Sequence, residues 1–384
     1  MPVAAALNGV KGTGITLNSR RHWEKKSDAG CPSLDKAVKQ GELSPKTLEA
    51  LIAAMEESLP RWRQYLRAKA SLLKIDACAF YDLFAPVGGQ GPVYDWKKAR
   101  ATLLEDFFSF SPRMGTFVNR AFASSWIDAE PRRGKVGGAY MTGMPAKKEP
   151  RILCNFDNTF NSVMTLAHEL GHAFHFDVMK NLPGSQQGVP MTLAETASTF
   201  SETIIFNAEL KKNTRKSFRL GLLEKHLQDG CQIIVDILSR FYFEKEVFAL
   251  REKGELPADE FCRIMADAQK KTYGDGLDPE NLHPYMWLVK SHYYSSGLAF
   301  YNFPYAFGQL LGMALYSRYL SEGSGFAETY ESILLATGSM DAVALTASAG
   351  FNIEDISFWR SGLEIFYNEI DDFCALAETH AAAG

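Results

Sequence analysis

Cysteine is scarce in this chain, and none of its six cysteines forms a C-x-x-C pair. Cys31, Cys78, Cys154, Cys231, Cys262 and Cys374 are scattered, which excludes a disulfide framework and a thiolate metal cluster. They read as reduced, mostly buried thiols of a cytoplasmic protein. Long apolar runs are missing as well. No window approaches the roughly 18 uninterrupted apolar residues of a membrane span, and residues 1–9 lack the basic and apolar regions of a signal peptide. No membrane partner is expected. Nor is there an excess of charge of one sign: 41 basic residues face 45 acidic ones, for a formal net charge of −4. The two signs are mixed along the chain with no basic stripe, which argues against a nucleic-acid partner. Nothing in the pattern sets an oligomeric state. Histidine is rare too, with eight residues in 384, so three of them within 168–175 stand out.

The apolar periodicity is mostly helical. Ser44 and Pro45 form a cap-and-proline start for a helix reaching about Leu73, which Pro60 is expected to divide or kink. A second helical period covers 94–110. The glycine-rich stretch that follows predicts a small sheet, with strands over 138–142 and 151–156 joined by a loop at 145–150. Beyond it, helices are predicted over 160–179, 191–211, 216–253, 257–271, 304–321, 325–336, 339–347 and 353–378. The expectation is a mainly α fold in two regions, a helical 1–130 and a second over 131–384 that carries the β-element at about 137–156.

The run 165–175 reads Thr-Leu-Ala-His-Glu-Leu-Gly-His-Ala-Phe-His. Residues four apart share one face of a helix, so the imidazoles of His168 and His172 can reach one zinc ion. Glu169 then lies beside a water on that metal and is placed to act as general base. Catalytic zinc takes three protein ligands and leaves a fourth position open. Glu195 and Glu202, seven residues apart on the next predicted helix, point the same way. Either both are exposed acids on a solvated face, or they partner a metal site across a packed helix. In the second reading Glu195 is the third ligand and Glu202 accepts a hydrogen bond from an imidazole and orients it. The metzincin pattern would need a histidine where this chain has Val178, so His175 reads as a residue behind the ligands or as packing. Asp157 either orients a ligand imidazole or caps a helix. The strand with Gly138, Ala139 and Tyr140 either pairs with a substrate backbone by β-addition or merely covers the metal helix.

The 165–175 run, followed by Glu195-Thr-Ala-Ser-Thr-Phe-Ser-Glu202, resembles the M3 family of zinc metallopeptidases, and within it the oligoendopeptidase F branch related to thimet oligopeptidase. Segments 80–86, 133–140 and 292–308 also look like that branch. Twenty-two residues separate His172 from Glu195, which suits this family, and the Gly-x-Met-Glu-Asn motif of the gluzincin aminopeptidases is absent.

The resemblance implies a multi-helix fold with a thermolysin-like catalytic core, a small β-sheet and a deep substrate channel. It implies one Zn2+ per chain and cleavage of internal bonds in short unfolded oligopeptides. It matches His168 and His172 to the zinc histidines, Glu169 to the base and Glu195 to the ligand glutamate. A histidine and one or two tyrosines of the family complete the site. His292 and Tyr305 match best here and Tyr301 next, and which hydroxyl faces the oxyanion stays open. In these terms 1–130 is expected to form part of the channel wall and 131–384 the catalytic zinc-binding region; typical members are longer, with a further N-terminal helical region in that wall that is expected to be missing here. The alternative that follows is a truncated protein that binds zinc and peptides with little turnover.

Overall fold

The computed structural model describes residues 2–22, 31–89 and 91–381. Helix α1 is Pro2–Arg20, α2 Pro32–Gln40 and α3 Pro45–Leu73; α4 (Trp96–Phe110) and α5 (Pro112–Ala123) follow. A sheet of β1 (Ile127–Asp128), β2 (Tyr140–Met144) and β3 (Glu149–Leu153) leads into α6, Phe160–Met179. Then come α7 (Met191–Ala194), α8 (Thr196–Lys212), α9 (Lys216–Cys231), a π-helical turn (Gln232–Asp236) and α10 (Ile237–Arg251). The chain ends with α11 (Ala258–Tyr273), α12 (Met286–Val289), α13 (Phe303–Glu322), α14 (Phe326–Ala336), α15 (Ala342–Ser348) and α16 (Ile356–Ala381). The fold is mainly α, as the periodicity predicts. All six cysteines are free. Among the described residues no helix is long and apolar enough to cross a membrane.

Helix α3 starts as its sequence predicts: the Ser44 hydroxyl accepts the Thr47 N–H at 3.1 Å and Pro45 opens the first turn. Pro60 does not divide it. An interior proline costs a helix about 3 kcal/mol, but Trp62, Tyr65 and Leu66 just beyond it are buried, the first two against α16. Trp62 meets Phe366 edge-on at 5.0 Å and Tyr65 meets Phe373 at 5.2 Å. Full burial of such side chains is worth about 2 kcal/mol each, so packing outweighs the proline. One apolar cluster runs from Cys31 to Phe373 and draws on both regions, 1–130 and 131–384.

The sheet has the order β1-β3-β2, with β3 parallel to β1 and antiparallel to β2, Tyr140 facing Leu153 and Met144 facing Glu149. Strand β2 lies two residues later than predicted, while β3 begins two residues earlier and ends three earlier. Gly138 turns at φ +80, which delays β2 until Tyr140, and Pro150 lies in β3 ahead of the residues that pair with β1, where one side of the strand is an edge and a missing N–H is tolerated. β2 is an edge strand lying over α6, so close that a Cβ on Gly143 would stand 2.4 Å from the Phe176 ring.

Two predicted helices are interrupted. The one over 191–211 breaks at Glu195, between α7 and α8. Helix α13 crosses there: a Cβ on Gly308 would lie 2.9 Å from the Glu195 Cβ, and one on Gly312 would lie 2.4 Å from the Thr199 hydroxyl. The one over 216–253 contains the π-helical turn, a feature common at functional sites.

Candidate metal centre

Helix α6 begins on a polar cap. The Thr159 hydroxyl accepts the Ser162 N–H at 3.2 Å, and the Asp157 carboxylate accepts the Thr159 N–H at 3.1 Å and its hydroxyl at 2.6 Å. The Ser162 hydroxyl also donates to Asp157. Asp157 is thus a cap residue bonded within its own turn, and no ligand imidazole is among its hydrogen-bond partners. From that start, α6 packs its glycine against α8. A Cβ on Gly171 would stand 2.5 Å from the Ala197 carbonyl oxygen and 2.8 Å from the Ser198 Cα, so the two backbones touch beside His172.

That close approach brings three donors together. His168 Nε2 and His172 Nε2 are 3.1 Å apart, and each lies 3.4 Å from Glu195 Oε2. Three ligands of one tetrahedral zinc, each about 2.05 Å from the ion, would be about 3.3 Å apart. Among the described residues this is the one group of three that could hold a metal ion. Glu202 Oε1 lies 3.3 Å from His168 Nδ1, which fixes the Nδ1 proton and turns the Nε2 lone pair to the other donors. The Ser198 hydroxyl, which the sequence reading misses, donates to Glu195 Oε2 at 3.0 Å. Its spacing of three residues from Glu195 is the only signal that could have found it.

The electrostatics favour a cation at this point. Burial works against a charged His168, but the carboxylates of Glu195 and Glu202 outweigh it and lift the imidazole to about 10. Burial would raise Glu195, yet hydrogen bonds from His168 and His172 hold it well below the usual carboxylate range. A proton or a metal can supply the charge, and a metal entering here displaces a proton. Glu169 is buried, and burial raises its pKa against the pull of the two imidazoles. Its Oε2 has no hydrogen-bond partner. Such an orphaned acceptor beside two imidazoles fits a site completed by a metal and its water.

His168, Glu195, Glu202 and Tyr305 open on one cavity of about 500 Å3. Helix α9 supplies Lys225, His226 and Asp229 to its wall, and the π-helical turn adds Gln232 and Ile233. None of these five was singled out from sequence, because charge and apolar residues on a helix look the same whether they face a cavity or solvent. The Tyr305 hydroxyl lies 3.0 Å from that of Tyr301, and the Tyr301 ring stands 5.4 Å from His292. Burial, then Tyr301 and Glu195, push the Tyr305 phenol up. His292 is driven down to about 4 by burial and by Arg240, Lys11 and Lys290, and its Nε2 is buried without a partner.

His175 stands apart from the donors. Its Nε2 meets the Leu334 carbonyl at 3.1 Å and the Thr337 hydroxyl at 2.8 Å, at the end of α14. It is a buried packing residue: its spacing of seven keeps it on the same face of α6 as His168, but two turns further along that face meets the end of α14, not the donor group. Gly138, Ala139 and Tyr140 do not line the cavity. The Gly138 carbonyl accepts from Asn155 Nδ2 at 3.0 Å, Ala139 packs on the core, and Tyr140 is exposed at the start of the edge strand.

Comparison with known proteins gives the family and the fold. The chain is 26% identical over 336 residues to the chromosomal oligoendopeptidase F of Lactococcus lactis subsp. cremoris, covering 87% of this chain and 55% of that protein. It therefore spans about half the length of the curated relatives it matches. Its fold superposes on the crystal structure of a candidate peptidase from Chlamydophila abortus with a TM-score of 0.85 at 19% identity, covering 98% of this chain and 62% of the other. The oligoendopeptidase F structure from Enterococcus faecium gives a TM-score of 0.72, also at 19% identity, with 98% and 60% covered. The profile of peptidase family M3 matches residues 110–365, a span that holds the donor triad, Glu169 and both tyrosines, and the chain belongs to that family.

Proposed function

We propose that this chain carries the catalytic centre of a zinc-dependent endopeptidase that hydrolyses internal bonds of short unfolded peptides. One observation carries the reading: three donors at 3.1, 3.4 and 3.4 Å from one another, beside a buried Glu169 with an unpartnered oxygen. His168, His172 and Glu195 would hold the ion. Zinc bound there would bring the pKa of a water toward about 7 and polarise the scissile carbonyl. Glu169 takes a proton from the attacking water and returns it to the leaving amine; its raised pKa suits both transfers. Glu202 keeps the His168 ring in register. Tyr305 lines the same cavity, and its hydroxyl donates to the oxyanion as the carbonyl becomes tetrahedral, with Tyr301 bonded behind it. The raised phenol keeps its proton for that purpose. The unpaired outer side of β2 offers N–H and C=O groups to an extended peptide.

The chain's coverage of 55% of the Lactococcus protein gives a second reading, zinc and peptide binding with little turnover. Elemental analysis together with cleavage of a quenched fluorescent peptide separates the two. About one zinc per chain, with cleavage abolished by chelator and lowered at least about 100-fold by Glu169→Gln, supports the peptidase. Stoichiometric zinc with peptide binding but no cleavage supports the second reading, and a protein that takes up no zinc overturns both.

A further inference from the structure

We propose that the buried pair Lys11–Glu244 is a positioning device for the segment 292–301, holding Tyr301 and through it Tyr305 in place for the peptide. This rests on the reading above, in which the tyrosine hydroxyls act on the substrate. Glu244, on α10, is 2% exposed and Lys11, on α1, is 1% exposed. The two oxygens of Glu244 are divided between two tasks. Oε1 accepts from Lys11 Nζ at 2.5 Å, and Oε2 accepts the backbone N–H of Phe300 at 2.9 Å.

Phe300 is the residue immediately before Tyr301, and it stands at φ +52. A bulky L side chain adopts that left-handed conformation only where its surroundings impose it. The Phe300 ring is enclosed between Phe248 at 5.7 Å and Phe241 at 5.3 Å, and Glu244 holds its N–H. The same ion pair reaches the other end of the segment. The Lys11 ammonium lies 5.4 Å from the ring of Tyr293, the residue after His292, and 4.8 Å from Phe248. Helix α1 is itself fixed by Asn8, which donates to the Leu256 carbonyl at 2.8 Å and accepts the Leu256 N–H at 2.9 Å.

Stability alone does not account for such a pair. A buried ion pair can generally be exchanged for apolar residues of similar volume without loss, whereas removing one partner is strongly destabilising. What apolar residues cannot supply is an acceptor for the Phe300 N–H.

Two charge-free variants of matched size separate these roles. Lys11→Met/Glu244→Gln keeps an oxygen for the Phe300 N–H, while Lys11→Met/Glu244→Met removes it. With zinc-loaded protein and a quenched fluorescent peptide, the Met pair should lower kcat about 10- to 100-fold, with KM and zinc content little changed. The Gln pair should recover most of that loss. In a Tyr301→Phe/Tyr305→Phe background the Met pair should have no further effect on kcat, since the groups it positions are gone. Equal losses in the Gln and Met pairs, or losses that add to those of the tyrosine variants, overturn the proposal. Wild-type kcat in the tyrosine variants alone overturns the reading of the site, and the brace falls with it for a different reason. Amide exchange in the unmutated protein gives a test that needs no folded variant. The Phe300 amide should exchange far more slowly than that of Gly297, and equal rates overturn the proposal.

Discussion

Replacing Gly171 by alanine tests how the metal centre is assembled. The added Cβ would stand 2.5 Å from the Ala197 carbonyl oxygen, 2.7 Å from the Ser201 hydroxyl and 2.8 Å from the Ser198 Cα. The serine oxygen can rotate away, but the carbonyl and Cα belong to the α8 backbone. A carbon and a carbonyl oxygen come no nearer than about 3.3 Å in ordinary contacts, so α6 and α8 must separate by roughly 0.8 Å at this point. Two opposing terms act on stability. Alanine favours a helix over glycine by about 1 kcal/mol, while overpacking costs about 1–3 kcal/mol. The net result is a loss of up to about 2 kcal/mol. Metal affinity has no such compensation. His168 and His172 ride on α6 and Glu195 sits at the start of α8, with 3.4 Å between the donors. Metal–ligand distances tolerate about 0.2 Å, so a 0.8 Å separation should weaken zinc binding at least about tenfold. Competitive titration against a chromophoric chelator measures this, with urea denaturation of the metal-free protein beside it. A variant with unchanged zinc affinity and a gain of about 1 kcal/mol in stability, which helix propensity alone predicts, would refute the contact between the helices.

Two further outcomes follow from the electrostatics. Glu195→Gln keeps the shape but removes the anionic donor, so zinc affinity should fall about 100-fold or more while the fold survives; unchanged affinity in the same titration would show that Glu195 is no ligand. The buried His226 Nδ1 lies 2.8 Å from Glu369 Oε2, and although burial works to lower it, Glu369 holds the imidazole above the ordinary histidine range. Stabilisation from a raised histidine is fully present below the unfolded pKa and is lost as pH rises through the folded one. The difference in urea midpoint between wild type and His226→Gln should therefore shrink as pH rises above the ordinary histidine pKa of about 6.5, and a difference that stays constant removes the charged pair from the account.

The parts of the fold legible in sequence are those set by local rules. The 3.6-residue period marks α3 and α6, Ser44 and Pro45 mark the start of α3, and the His-Glu-x-x-His spacing needs nothing beyond one helix. Helix α1 was not legible. Its Gly9, Gly12 and Gly14 and its lack of a clean apolar face give weak helix propensity, and long-range partners, Leu256 for Asn8 and Glu244 for Lys11, hold it. Helix α5 starts on Ser111 and Pro112, the same signal as at α3, and could have been found. Pro60 misled because local cost says nothing about the aromatic packing behind it. The break at Glu195 depends on α13 crossing 113 residues later in the chain, at Gly308. Yet the inference that Glu195 and Glu202 face one way survived that break, because both reach the same imidazole.

The distribution of apolar contacts bears on what a metal would do here. A structural zinc site closes all four positions, generally with cysteines, and its loss unfolds the domain. In this chain the cluster from Cys31 to Phe373 encloses α6 and α8 without help from an ion, and cysteine is absent from the donor group. The three donors are only partly buried, and His168 and Glu195 face the cavity with a flank to spare. The close packing at Gly171 and Gly308 fixes the donors before any ion arrives, so the ordering cost is met by folding, not by binding. Three carboxylates, Glu169, Glu195 and Glu202, then surround two imidazoles, and a metal ion relieves that excess of negative charge in place of a proton. A site assembled in this way, open on one side and with an unpartnered carboxylate beside it, supports the proposal that a metal held there works on a substrate.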